Sequence, residues 1–184
     1  MLTLKKLAAV AISLAAVVFA QASQAADGMV DSASVEVGTN PQQRMLRIAA
    51  QKDWQQRWFA GNGRHLSGYW EANLALWRLN AYANEAGRDK NIVVAGFTPV
   101  LRYQNDSKLG LYGEAGIGVS LFSSLYKNRD KELATAFQFA DHVGVGYTTA
   151  KWDFGLRLQH YSNASIKRPN GGANWVVAKA AYRF

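Results

Sequence analysis

The amino-acid sequence predicts an all-β chain that closes as an eight-stranded antiparallel transmembrane β-barrel of the outer membrane. Three observations carry this. Beyond residue 25, apolar residues alternate with small or polar ones almost throughout, which is the period of a strand with one apolar face. No stretch in that part reaches the roughly 18 consecutive apolar residues of a spanning helix. Most alternating segments exceed the ~5–6 residues of an average soluble strand and suit the ~9–11 residues that cross a bilayer as a tilted strand.

Residues 1–25, MLTLKKLAAVAISLAAVVFAQASQA, read as a secretory signal peptide. Lys5 and Lys6 form the positive start, 7–19 is the apolar run, and Ser23 and Ala25 are the small residues before cleavage. An uncleaved anchor is the alternative. The barrel domain is then 26–184. Its strands fall at 30–39, 45–59, 66–79, 91–103, 109–122, 135–147, 152–161 and 174–184. The fifth, LGLYGEAGIGVSLF, shows the pattern best. Leu109, Leu111, Ala115, Ile117, Val119 and Leu121 occupy one face, while Tyr112, Glu114 and Ser120 occupy the other. Short turns at 60–65, 104–108 and 148–150 alternate with longer, charge-rich loops at 80–90, 123–134 and 162–173. That asymmetry fits a barrel with both termini in the periplasm, and an aromatic end such as Phe184 is an assembly signal of such barrels.

The rest of the composition agrees. Backbone groups in hydrocarbon must all be paired, so only helices or closed barrels span, and eight strands enclose a side-chain-filled interior. The six Trp and eight Tyr are expected largely in interfacial girdles. Glu71 and Glu114 fall on the inner face, with Arg157, Lys179 and Arg183 as salt-bridge partners. His65 is placed in a solvated turn and His142 on the inner face. The absence of cysteine excludes disulfides, cysteine metal sites and a thiol nucleophile. The formal charge of +8 becomes +6 without Lys5 and Lys6. No metal-ligand cluster or phosphate-binding glycine loop is present, so no cofactor is expected, and an exported barrel is not expected to meet nucleic acid.

Strand parity then singles out one spot. In 152–161 the even residues Trp152, Phe154, Leu156 and Leu158 face lipid, while Asp153, Arg157 and Gln159 face inward. The same parity points His160 and Ser162 outward. In 174–184 the inward Lys179 and Arg183 put Asn174 outward. Strand seven runs away from the periplasm, so His160 and Ser162 sit level with the outer leaflet. An imidazole beside a hydroxyl is the minimum for an activated oxygen nucleophile. On the spacing alone, an ordinary polar pair at a strand end is the favoured reading.

The run 160–170, HYSNASIKRPN, resembles the signature of the lipid A 3-O-deacylase family, and GLYGEAGIGVSLFSS at 110–124 is similar to that family as well. The resemblance implies an outer-membrane carboxylic ester hydrolase that removes the 3-O-linked acyl chain of lipid A in lipopolysaccharide. It implies that His160 is the base and Ser162 the nucleophile. Asn163 and a backbone N–H near Ser165, where relatives often carry Gly, correspond to the oxyanion hole. An acid is expected fourteen residues after the histidine, and this chain has Asn174 there. An amide can orient an imidazole but cannot stabilise an imidazolium as a carboxylate does; in serine proteases the comparable change costs about 10⁴ in rate.

Asp141 is the candidate substitute. Pairing Tyr147 with Trp152 sets Asp141 opposite Leu158, facing lipid and diagonal to His160. The alternative, favoured by the cost of an outward acid, is a bulge that turns Asp141 inward onto Arg157. Lys127, Arg129, Lys131, Lys167 and Arg168 lie in two outer loops, either as solvated charges or as partners for the phosphates of lipopolysaccharide. Outer-membrane lipid and a second copy, as a homodimer, complete the expected partners. Rival readings are a non-enzymatic adhesion or surface barrel, a soluble lipocalin-like barrel and a phospholipase.

Overall fold

The computed structural model describes residues 28–129 and 131–184; the predicted signal peptide, 1–25, lies outside them. Eight strands form the wall: β1 (Ser32–Asn40), β2 (Gln43–Asp53), β4 (Arg64–Leu79), β5 (Lys90–Asn105), β6 (Gly110–Phe122), β9 (Phe137–Thr148), β10 (Trp152–Ser162) and β11 (Ala173–Arg183). Three short strands are accessory: β3 (Trp58–Gly61) extends the turn between β2 and β4, and β7 (Tyr126–Asn128) pairs with β8 (Lys131–Leu133) in the long loop between β6 and β9. All neighbours are antiparallel, in the order β2-β1-β11-β10-β9-β6-β5-β4, and the β2–β4 pairing closes the ring. Closure leaves no wall strand with an unpaired edge, as hydrocarbon requires.

The two faces are inverted relative to a soluble barrel. Ile117, Leu111 and Val145 are 71%, 67% and 64% exposed, and Leu156, Leu158 and Val143 lie beside them on the outer wall. So large an apolar surface needs a cover, and lipid supplies it. Inside, the described residues include four buried cations, Arg47, Arg102, Arg157 and Lys179, and four buried carboxylates, Glu36, Glu71, Glu114 and Asp153. Arg157 is the hub, reaching Glu114 at 2.7 Å, Glu71 at 3.0 Å and Glu36 at 3.4 Å. Arg102 joins Glu114 at 2.7 Å to Asp153 at 2.5 Å, and Arg47 grips Glu36. An ionic interior with a greasy exterior excludes the lipocalin-like reading.

Towards the end that carries the long loops the lumen turns apolar. Trp77 is fully buried and packs on Trp175, Tyr161 and Phe122, with ring centroids 4.7, 4.8 and 4.9 Å away. Trp77 and Trp175 are therefore core residues, not girdle residues. Trp58, Trp70 and Trp152 do face outward.

Other expectations are corrected. The second strand ends at Asp53 instead of running to Phe59, because Trp54 folds over Gly68, which has no side chain to block it. His65 is a buried residue of β4, 3.0 Å from Asp106 and 3.3 Å from Gln104, not a solvated turn residue. Arg183 takes no part in the ionic core; its side chain donates to the Thr149 carbonyl at the short-turn end of the barrel.

Candidate active site

The site is built where β10 and β11 leave the wall. Strand alternation puts Tyr161 and Trp175 inside, in the aromatic plug. Their neighbours His160, Ser162 and Asn174 therefore point outward. The buried rings fix the strands from within, and the polar groups inherit that fixed position. His160 pairs directly with Asn174 across β10–β11, and Nδ1 of the imidazole lies 2.5 Å from Asn174 Oδ1. An amide oxygen only accepts, so Nδ1 carries the hydrogen and Nε2 keeps its lone pair. Ser162 is the last residue of β10, two residues on along the same face.

Two residues that no sequence signal marked support this pair. Asn40, at the end of β1, donates from Nδ2 to the Asn174 carbonyl at 2.9 Å, and its own Oδ1 accepts from the Gln42 N–H at 3.0 Å. The short β1–β2 turn thus holds Asn174 from across the barrel seam. Gly172 lies against the imidazole: its φ is +66°, and a Cβ there would approach His160 Cε1 to 2.9 Å. Gly172→Ala is expected to lower the activity of this site more than 10-fold, measured as an initial rate. It both tilts the ring and imposes a left-handed backbone that costs an L side chain about 1–2 kcal/mol.

The loop after Ser162 is a tight, braced structure. Asn163 is fully buried; its backbone N–H donates to Asn170 Oδ1 at 3.0 Å and its Nδ2 to the Lys167 carbonyl at 2.8 Å. Ile166 N–H closes a turn onto the Asn163 carbonyl at 3.0 Å. Ala164 and Ser165, its central residues, have φ of 52° and 63°, a geometry that prefers Gly or Asn. Ser165→Gly is therefore expected to raise stability by about 1 kcal/mol, read as a shift in the urea unfolding midpoint of the folded barrel. Backbone bonds from Ala134 to Pro169 (3.0 Å) and from Gly171 to Glu132 (2.8 Å) clamp this loop to the β7–β8 hairpin.

Asp141 stands on the outer wall. The β9–β10 register pairs Thr148 with Asp153 and Tyr147 with Phe154, so Asp141 faces His160 directly and Val143 faces Leu158. The expected register is off by two residues, and no bulge turns Asp141 toward Arg157, which is occupied by Glu36, Glu71 and Glu114. A groove of about 590 Å³ opens beside His160, lined by the apolar Leu158 and Val176 together with the polar Asn40 and Gln42 and the cationic Lys131. Apolar side chains beside polar and cationic ones suit an anionic amphiphile.

The family model for lipid A 3-O-deacylase (PagL) matches residues 44–183. The chain belongs to the lipid A 3-O-deacylase family. Two relatives agree, both described as lipid A deacylase PagL. The one from Pseudomonas aeruginosa strain PAO1 is 35% identical over 175 residues, covering 92% of this chain and 93% of the relative. The one from Bordetella bronchiseptica strain RB50 is 33% identical over 149 residues, covering 80% and 79%. The crystal structure of the outer membrane enzyme PagL superposes with a TM-score of 0.71 at 28% identity, covering 83% of this chain and 99% of that one. As a lipid A 3-O-deacylase family member the chain is a hydrolase, which sets aside the reading as a non-catalytic surface barrel.

Proposed function

We propose that this barrel hydrolyses the 3-O-linked acyl ester of lipid A from the outer leaflet, with Ser162 as nucleophile and His160 as base. The observation that carries it is the His160–Asn174 contact on the lipid-facing wall, near Ser162 and lining a largely apolar groove. Lipid A enters laterally, its acyl chain along Leu158 and Val176, and its sugar beside the polar and cationic lining. The bilayer delivers the substrate, so the site needs no deep cavity.

His160 Nε2 removes the Ser162 proton as Oγ attacks the ester carbonyl. The oxyanion forms against the Ser165 amide, in the turn that the buried Asn163 side chain braces. The Ile166 amide closes the 163–166 turn, which leaves the Ser165 amide for the substrate. The carbonyl carbon to sugar oxygen bond then breaks, and the imidazolium returns its proton to the leaving hydroxyl. Water attacks the acyl-serine, His160 takes its proton and passes it to Ser162, and a 3-hydroxy fatty acid departs. Residues 1–25 serve as the cleaved export signal that brings the barrel to the outer membrane.

The test is the mass of lipid A from cells producing the protein. The wild type should remove one 3-hydroxyacyl chain per molecule, and Ser162→Ala should leave the mass unchanged while still migrating as a folded, heat-modifiable barrel. An unaltered lipid A with folded wild-type protein would falsify the reading.

A further inference from the structure

Hydrolysis through His160 creates an imidazolium at the outer wall, and the residue on its Nδ1 is the neutral Asn174. We infer that Asp141 stabilises that imidazolium, so that the two duties of a triad acid are split: Asn174 orients the ring and Asp141 supplies the charge. This rests on the proposed hydrolase reading and adds a positioning residue to it.

Four observations converge. Asp141 is the direct partner of His160 across β9–β10, and directly opposed residues hold their Cβ atoms about 4.5–5.5 Å apart. Its strand is regular, paired without a shift to β6 on one side and β10 on the other, so the carboxylate stays on the lipid-facing row Ile117–Asp141–His160–Asn174. Asp141 Oδ1 is buried with no hydrogen-bond partner among the described residues, and none of the salt bridges among them uses Asp141. Every buried carboxylate of the lumen, by contrast, has an Arg or Lys.

An acid on a lipid-facing row that no cation balances is unfavourable unless a positive charge appears beside it. That charge appears when His160 takes the Ser162 proton. The attraction is therefore far stronger in the transition state than in the resting enzyme, which is the condition for lowering the barrier and not merely tightening binding. Among the described residues, the other groups around the imidazole do not supply it. Asn40 and Asn174 are neutral, Gly172 has no side chain, and Lys131, in the groove lining, is a cation.

Steady-state kinetics on purified lipopolysaccharide in detergent micelles test this with four variants. Asp141→Asn should lower kcat about 10²-fold, the effect of one opposite charge near 5 Å in a medium of intermediate dielectric, with KM unchanged. Asp141→Glu should stay within about 10-fold of wild type. Asn174→Glu placed on Asp141→Asn should restore kcat at least 10-fold, because the carboxylate returns at the Nδ1 position; simple loss of packing at residue 141 would not be rescued from the far strand. Wild-type kcat in Asp141→Asn, or no recovery in the double variant, overturns the inference. Equal absence of product from the wild type and Ser162→Ala overturns the hydrolase reading instead.

Discussion

Replacing Arg157 with Met is expected to destabilise the barrel by about 3–5 kcal/mol, the usual cost of removing one partner from a buried charge group. Arg157 is fully buried and contacts Glu36, Glu71 and Glu114, with Nη2 also 2.7 Å from the Tyr69 hydroxyl. The four buried cations and four buried carboxylates balance; without Arg157 the balance is three to four. Glu36 keeps Arg47 and Glu114 keeps Arg102. Glu71 keeps only the Gln51 amide at 3.4 Å, so the excess charge falls there. Adding Glu71→Gln should therefore recover a large part of the loss, since it restores equal numbers. Urea unfolding of the barrel in micelles, followed by tryptophan emission, measures both. A midpoint for Arg157→Met equal to wild type would show that water enters the lumen and screens the carboxylates.

The wall was legible in the sequence because hydrocarbon allows so few solutions. Period-two alternation sets the faces, and the faces of β10 and β11 follow from Arg157 and Lys179 without any structure. His160, Ser162 and Asn174 were placed on the lipid side by that parity alone. What parity cannot give is register. The β9–β10 turn, Thr149–Lys151, has no Gly or Asn to dictate its type, and the strands pair two residues away from the expected alignment. That shift moves Asp141 from a diagonal to a direct neighbour of His160. The inward alternative for Asp141 assumed that an outward acid is only a cost, which holds when nothing beside it becomes positive.

Other misses share a physical cause. Trp is amphipathic and suits either an interface or a core, so composition could not reveal that Trp77 and Trp175 fill the lumen at the long-loop end. That plug matters to the site, since it pins the inward residues that alternate with the polar ones. His65 was misplaced because β4 begins at Arg64, earlier than expected, which makes His65 an inward strand residue beside Ser67 and Tyr69. Asn40 lies 134 residues from Asn174 in sequence. Only the pairing of β1 with β11 brings them together, and no local pattern encodes that contact.

His160→Gln is expected to reduce kcat by about 10³–10⁴ while leaving the folded barrel intact. The imidazole sits on the outer wall, outside the aromatic plug and the ionic core, so its replacement removes neither a core contact nor a lumen charge. Gln fills comparable space and can still meet the Asn174 amide, but it offers no basic nitrogen to Ser162. Combining it with Ser162→Ala should be no worse than Ser162→Ala alone, because a base has nothing to activate once the hydroxyl is gone. Multiplicative losses in the double variant would mean that the two side chains act independently, for instance by each contacting the sugar, and not as a nucleophile and its base. Measured beside the Asp141 variants, the same cycle separates the two kinds of help His160 receives. Loss of Asp141 should matter only while His160 is present, since a carboxylate that stabilises an imidazolium has no work when none forms.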